Sequence, residues 1–415
     1  MKKLRRKVYM TAGYNTVSLG TGRKEFHPKK PRPGLEHYIS EAGKAVLEKI
    51  GGPDVVDEAV IGNFMASRYN HQGHIDGFIP MIDPGLSMKP AVRVEGACAS
   101  GGLALATGIR HILAETSDVV LALGVEVQNP VKAVYGADYL ALAGWFQKRK
   151  TGHAHFFPGQ FSDRAGAYYE KYGYERARKG MAQWYANAIE NARLDPTAQE
   201  YHNTNPDPLA TALKMQPNGK VFVDHLTVLD CSKVSDGASG IAICSEEGLK
   251  RIGITKEQAV EVIGFGHAVR DITSDPKDLT ELETIKFAAH QALENAGITI
   301  DQVGTIETHD CFSIAGILAV EALGLAARGH GADYVAEGNT KRNGAMPMNT
   351  TGGLIGWGHP TGATGVHMGV TVWQQLTGNA GDAQIEIPGN RPYGLSINMG
   401  GDDVTVVSIV YKRGE

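Results

Sequence analysis

One plan that occurs twice constrains this chain more than any other feature. Residues 39–50 carry helical spacing, Gly51-Gly52-Pro53 stops them, and residues 57–65 read as a strand. Residues 283–296 repeat the plan, with a helix, Gly297, an acidic turn at Asp301 and a strand over 303–308. Leu47-Glu48 with Gly51 matches Leu293-Glu294 with Gly297 at identical spacing. A glycine-rich helix opening follows each copy: Gly96-Ala97-Cys98-Ala99-Ser100-Gly101-Gly102 in one and Gly356-Trp357-Gly358-His359-Pro360-Thr361-Gly362 in the other. Closing strands then follow, over 240–245 after an Asp-Gly turn and over 404–411 after Gly400-Gly401. Three echoes in one order indicate an internal duplication, with halves of 1–252 and 253–415. Helical and strand-like segments alternate throughout, so the expected class is α/β with layered helices and sheet. The first half is longer because of residues 129–222, which read as an insertion of amphipathic helices (161–172 and 176–192) and polar loops.

Composition narrows the function. Glycine supplies 52 of 415 residues, against roughly 7% in ordinary usage. Proline supplies only 18, so the excess marks close backbone approaches rather than disorder. Lys and Arg number 41 against 45 Asp and Glu. That balance gives no electrostatic basis for a nucleic-acid or anionic-membrane surface. Four cysteines (98, 231, 244 and 311) form neither a disulfide framework nor a Cys-x-x-Cys metal pair. The basic stretch 2–7 has no apolar run behind it and reads as a solvated start to the first strand. No segment approaches the apolar length of a membrane span, and the final Arg-Gly-Glu is no peroxisomal address. A cytoplasmic enzyme without a resident metal or cofactor is the expectation.

Cys98 sits between a strand-like Ala91-Val92-Arg93-Val94 and a helix over 103–115. Small neighbours leave the thiol uncovered, and the positive end of the helix dipole favours thiolate. On that ground its pKa is expected below the free value of about 8.5. Local sequence also allows a small buried cysteine in an α/β turn.

The wider pattern bears on that choice. VEGACASGG around Cys98, SDGASG at 235–240, THDCF at 308–312, GGLIGWGHPTGATG at 352–365 and NMGG at 398–401 occur in order. Together they resemble the thiolase superfamily over nearly the whole chain. The resemblance is strongest to the branch of sterol-carrier-protein-type enzymes and archaeal acetoacetyl-CoA thiolases, which has His-Asp-Cys-Phe where other thiolases have Asn-Glu-Ala-Phe. It implies a thiolase fold, with duplicated αβαβα layered halves and a helical loop-domain insertion. It further implies cleavage of a β-ketoacyl-CoA by free coenzyme A, or the reverse Claisen condensation, with coenzyme A a co-substrate.

By the same resemblance, Cys98 is the nucleophile that becomes an acyl thioester. His359 takes its proton, a task suited to imidazole. His309, directly or through a water, joins His359 in holding the thioester oxygen that becomes an enolate. The backbone N–H groups of Cys98 and Gly400 hold the oxyanion on the acyl carbonyl. Many thiolases carry a second cysteine where this chain has Asn398, which cannot shuttle a proton. Cys311 is the substitute that the branch implies. Asp310 is expected to orient a neighbour. The branch also implies a homodimer and a small partner carrying an OB-fold and a zinc ribbon.

Other features read as plain structure. His71-x-x-His74 falls in a loop toward a subunit interface, His153-x-His155 in a substrate-facing or interface loop, and Cys231 and Cys244 as packing residues. The proline-rich segment 23–34 is expected to be an extended excursion at a partner contact or site entrance. The insertion holds Tyr135, Tyr139, Trp145, Phe146, Phe156, Phe157 and Phe161, more aromatics than a two-carbon acyl group requires. An aromatic substrate such as benzoylsuccinyl-CoA therefore stands beside a short 3-ketoacyl-CoA. The alternatives to a thiolase are a related acyltransferase with a non-CoA acceptor and a non-catalytic scaffold subunit.

Overall fold

The computed structural model describes residues 4–149, 153 and 155–415. Part of the basic 2–7 stretch therefore lies outside the described residues. Among them, nine strands form one mixed sheet: β1 (Val8–Asn15), β2 (Glu58–Gly62), β3 (Ala91–Val94), β4 (Val119–Val127), β5 (Asp236–Cys244), β6 (Val260–Val269), β7 (Val303–Thr308), β8 (Tyr393–Gly400) and β9 (Thr405–Arg413). Their order is β3-β2-β4-β5-β1-β6-β9-β8-β7. β1 and β6 meet antiparallel through Val8↔Val262, Tyr9↔Glu261 and Met10↔Val260. Outward from β1 the senses run antiparallel to β5, antiparallel to β4, then parallel to β2 and β3. Outward from β6 they run antiparallel to β9, antiparallel to β8, then parallel to β7. Beyond β7, where the other side has β3, stands a single parallel bridge, Ile306↔Met348.

Burial explains the strand sequences. β4 and β5 are buried at every position, and such strands read as apolar runs rather than alternations. β6 alternates, with one side under a helix. The longer helices are α1 (Leu35–Ile50), α2 (Ser100–Leu113), α3 (Phe156–Tyr172), α4 (Tyr174–Ala192), α5 (Glu283–Ala296), α6 (Ser313–Ala322) and α7 (Thr364–Thr377). The helices expected over 39–50 and 283–296 correspond to α1 and α5, and the strand over 303–308 is β7.

The glycine excess has a structural use where α2 crosses α7. A Cβ on Gly101 would lie 2.7 Å from the Gly365 nitrogen, and one on Gly365 only 2.0 Å from the Gly102 nitrogen. No side chain fits there, so the two backbones touch and the openings of α2 and α7 converge on one place.

The inserted helices are longer than the sequence pattern, and α4 differs from it in character. Rather than lying half-exposed, α4 buries Met181, Trp184, Tyr185, Ile189 and most of its remaining length. Gly180 rests on Ala332, and Gly352 and Gly356 rest on Ala188. α4 is therefore packed against the chain around residues 332 and 352–356. Its buried Arg178 is matched by the Asp230 carboxylate at 2.9 Å, as a charge taken out of water requires. Asp230 also accepts from the Ser313 hydroxyl at 2.6 Å, which fixes the start of α6. No helix among the described residues is long and apolar enough to cross a membrane.

Candidate active site

Cys98 is presented by a strained turn between β3 and α2. Ala97 has φ +54, a conformation that costs an L-residue about 1–2 kcal/mol. Ser100 holds the turn: its hydroxyl accepts from the Gly96 N–H at 3.0 Å and donates to the Ala97 carbonyl at 2.6 Å. The Cys98 thiol is half-buried and lines a cavity of about 220 Å³ shared with His309, Cys311 and His359. Burial pushes its pKa up to about 12, against hydrogen bonds from the Gly401 N–H and from its own N–H. The expected depression by the helix dipole is thus overturned, because removing water from a thiolate outweighs that dipole here. At rest the Cys98 side chain is a neutral thiol.

His359 stands at the opening before α7. Its Nδ1 lies 2.7 Å from the Thr364 hydroxyl. That hydroxyl also reaches the Pro360 carbonyl at 3.2 Å; donating there, it accepts from His359, and on that assignment the Nδ1 carries the proton. Nε2 is left as a buried lone pair with no hydrogen-bond partner. Burial lowers the His359 pKa to about 3, so the ring is neutral at physiological pH. The main chain is held at both sides: the His359 N–H donates to the Ser235 hydroxyl at 2.9 Å, and the Gln128 amide donates to the His359 carbonyl at 2.6 Å.

His309 has the complementary tautomer, assigned from its hydrogen bonds. Asn398 Oδ1 accepts from the Gly102 N–H at 2.9 Å, and its Nδ2 donates to the Cys98 carbonyl at 3.0 Å. These two contacts fix the amide, so its Nδ2 also donates to His309 Nδ1 at 3.2 Å. The His309 proton therefore sits on Nε2, as a donor. Burial and the neighbouring His359 hold its pKa well below the ordinary value. The two rings meet edge to face, 5.1 Å between centroids. Donor atoms of Cys98, His309 and His359 all lie within 4.8 Å of one another, a spacing that one substrate carbonyl can bridge.

Cys311 follows β7 and is buried on the same cavity wall, its thiol pKa raised well above the ordinary value by burial and by Cys98. Asp310 faces away from that cavity. Its carboxylate accepts from Trp184 Nε1 at 2.9 Å and from the Leu354 N–H at 2.7 Å, tying α4 to the stretch before His359. Gly400 touches backbone, since a Cβ there would meet the Gly96 carbonyl at 2.1 Å. Gly401, not Gly400, lines the cavity.

Several participants escaped the sequence reading. Cys231 also lines the cavity, which corrects its assignment to packing alone, whereas Cys244 is fully buried in β5. Glu126 is fully buried and accepts from the N–H groups of Phe64, Met65 and Gly362 and from Asn63 and Thr361. It thereby ties β4 to the loop after β2 and to the turn after His359. A single acid in the apolar run Val-Val-Leu-Ala-Leu-Gly-Val-Glu-Val was the available signal. His71 and His74 are exposed, with φ of +54 and +50. His153 pairs with Asp163 at 3.0 Å, and the His155 ring lies 5.2 Å from that of Phe222. In the segment 23–34, Arg23 is buried and donates to the carbonyls of Pro196 and Ala198, while residues 27–31 are exposed.

Comparison with known proteins places this arrangement. The profile described as thiolase, N-terminal domain matches residues 34–153, and that described as thiolase C-terminal domain-like matches residues 266–413. An acetyl-CoA acetyltransferase of Methanothermobacter thermautotrophicus is 34% identical over 90% of this chain and 94% of its own. The benzoylsuccinyl-CoA thiolase subunit BbsB of Thauera aromatica is 29% identical over 92% of each. A solved structure titled Ltp2-ChsH2(DUF35) aldolase superposes with a TM-score of 0.76 at 20% identity, covering 99% of this chain and 98% of that one. The chain belongs to the thiolase family. It is an acyltransferase of that class, with a thiolase fold.

Proposed function

We propose that this thiolase works through Cys98 as nucleophile, His359 as its base, His309 as an oxyanion donor and Cys311 as the proton shuttle. The feature that carries the reading is the assigned pair of complementary tautomers, an unpartnered lone pair on His359 Nε2 beside a ring whose proton is on His309 Nε2. A neutral thiol and a neutral imidazole do not exchange a proton at rest. The proton passes to His359 Nε2 as sulfur bonds to the 3-oxo carbon of a β-ketoacyl-CoA. The backbone N–H groups of Cys98 and Gly400, with Gly401 beside them, hold the oxyanion. The C2–C3 bond then breaks, leaving an acyl-Cys98 thioester and an enolate whose oxygen faces His309 and His359. Cys311 protonates its carbon, releasing a shortened acyl-CoA. The Cys311 thiolate so formed takes the thiol proton of coenzyme A, whose sulfur removes the acyl group from Cys98, and His359 returns its proton to the Cys98 thiolate, restoring the resting site.

The chain divides near residue 252 into two halves of matching strand plan, with 129–222 carried on the first. A homodimer and a small OB-fold and zinc-ribbon partner complete the proposed assembly. A relative named as a subunit and a neighbour whose title includes a DUF35 partner support the second of these. Intact-protein mass spectrometry after mixing with β-ketoacyl-CoAs, without free coenzyme A, tests the chemistry. An acyl adduct that vanishes in Cys98→Ser is expected. A Cys98→Ser variant that still turns over at the wild-type rate would sink the assignment.

A further inference from the structure

Resting on the thiolase reading, we infer that Asn398 is a positioning residue that pins the His309 proton on Nε2. It thereby keeps Cys98, His309 and His359 a hydrogen-bonding site rather than a metal site. Asn398 is buried near the end of β8, opposite Val407 of β9. Its amide fills space that two glycines leave open: a Cβ on Gly102 would meet Oδ1 at 2.9 Å, and one on Gly365 would lie closer still. An amide cannot carry a proton between partners, but it can decide where a neighbouring ring keeps its own.

The amide has one workable orientation. Oδ1 accepts from the Gly102 N–H at 2.9 Å, and one Nδ2 proton goes to the Cys98 carbonyl at 3.0 Å. Turned over, its NH₂ would face the Gly102 N–H and its oxygen the Cys98 carbonyl, losing both bonds. The second Nδ2 proton faces His309 Nδ1 at 3.2 Å, so a proton on that nitrogen would set two donors against each other. Beside it, His359 Nε2 is buried and unpartnered. The Cys98 sulfur and one nitrogen of each ring lie within 4.8 Å of one another. A thiolate with two imidazole lone pairs is a donor set that Zn²⁺ and Co²⁺ take, at ~2.0–2.3 Å per ligand. With Nε2 protonated, His309 offers a metal a proton instead of a lone pair, and only two ligands of the trio remain. An acceptor at 398 would reverse this, because a carboxylate takes the Nδ1 proton as the outer partner of a metal-bound histidine does.

The tautomers are read in the wild type by nitrogen NMR of protein isotopically labelled at histidine. His309 is expected to show an unprotonated Nδ1 and a protonated Nε2, and His359 the reverse. A protonated His309 Nδ1 overturns the inference, whatever the variants do. Co²⁺ titration then compares wild type with Asn398→Asp and Asn398→Leu, each checked for fold by circular dichroism. The thiolate-to-cobalt absorption should appear at about tenfold lower Co²⁺ or less in Asn398→Asp, and vanish when Cys98→Ser is added. Asn398→Leu, which removes the donor without adding charge, should show a smaller gain. Equal Co²⁺ affinity in wild type and both variants overturns the exclusion of metal. With a chelator present, cleavage of acetoacetyl-CoA by coenzyme A should fall about 100-fold or more in Asn398→Asp, and acylation of Cys98 by acetyl-CoA less than about tenfold. The split is expected because His309 serves the enolate and not the acyl carbonyl. Equal loss in both steps overturns the positioning role. A wild type that is never acylated at Cys98 removes the thiolase reading, on which the kinetic comparison alone depends; the tautomer and Co²⁺ results decide the inference without it.

Discussion

The openings of α2 and α7 are built alike and do opposite things. Each follows a chain segment paired parallel to its neighbour, β3 on β2 and Met348 on Ile306, and each leads into a helix buried by glycine contacts. The first opening offers a thiol, a proton donor, on a strained turn. The second offers an imidazole whose proton is turned away toward Thr364, leaving an acceptor. In the proposed mechanism, two openings of like plan, crossed at glycines, supply both halves of an acid–base pair. The difference lies in side chains and their hydrogen bonds, not in backbone plan.

The largest test of this contrast removes the donor. Cys98→Ser should lower turnover by about 10⁴-fold or more, measured as coenzyme A release, while the circular dichroism spectrum is kept. His359→Gln removes the acceptor and should cost about 10³-fold in acylation. Its rate should climb nearly tenfold per pH unit between pH 7 and 9, because a thiol with a pKa of about 12 must then ionise unaided. A flat profile in stopped-flow acylation would contradict the role of His359 as base.

The crossing itself is tested by Gly365→Ala. Its Cβ would sit 2.0 Å from the Gly102 nitrogen, and a loss of about 3 kcal/mol is expected in urea unfolding. Thr364→Val leaves the imidazole in place but frees its tautomer. A tenfold fall in acylation is expected, with KM for acyl-CoA unchanged.

Acid stability gives the smallest effect. His359 binds its proton near pH 3 when folded and near 6.5 when unfolded. Between those values the unfolded chain binds more protons, so this residue's contribution to stability is lost as pH falls from 6.5 toward 3. Glu307, raised to about 8 by burial, acts in the opposite sense as pH rises from its ordinary range toward 8. Urea titrations of wild type and His359→Gln between pH 4 and 6.5 should therefore differ in slope, the variant lacking the gain in stability with rising pH that His359 contributes and keeping the loss due to Glu307.

Much of this was legible in residue order. The helix–glycine–strand plan appears in α1 and β2 and again in α5 and β7, because apolar spacing and glycine stops act locally. The approach of Cys98 to His359 was not, since it depends on contacts between Gly101 and Gly365, far apart in sequence. The thiol's pKa came out with the wrong sign because a helix dipole can be read from order and burial cannot. Among the aromatics singled out, Phe157 and Phe161 line the cavity, but Tyr135 and Phe146 are exposed and Tyr139 packs against Tyr69. Phe312, quoted within the THDCF motif but given no role there, and Phe222, which carried no local signal, complete the wall.

The helix that carries Phe157 and Phe161 also carries Arg164, fully buried and bonded to the Asp402 carboxylate at 2.6 Å. Asp402 directly follows Gly401, whose N–H faces the nucleophile. The helix that lines the cavity is thereby bolted to the turn whose N–H reaches the Cys98 thiol. Changing selectivity by exchanging that helix for a relative's is then also a change of catalytic geometry, unless the arginine travels with it. In this protein the cavity lining and the backbone around the Cys98 thiol are held in place by one buried ion pair.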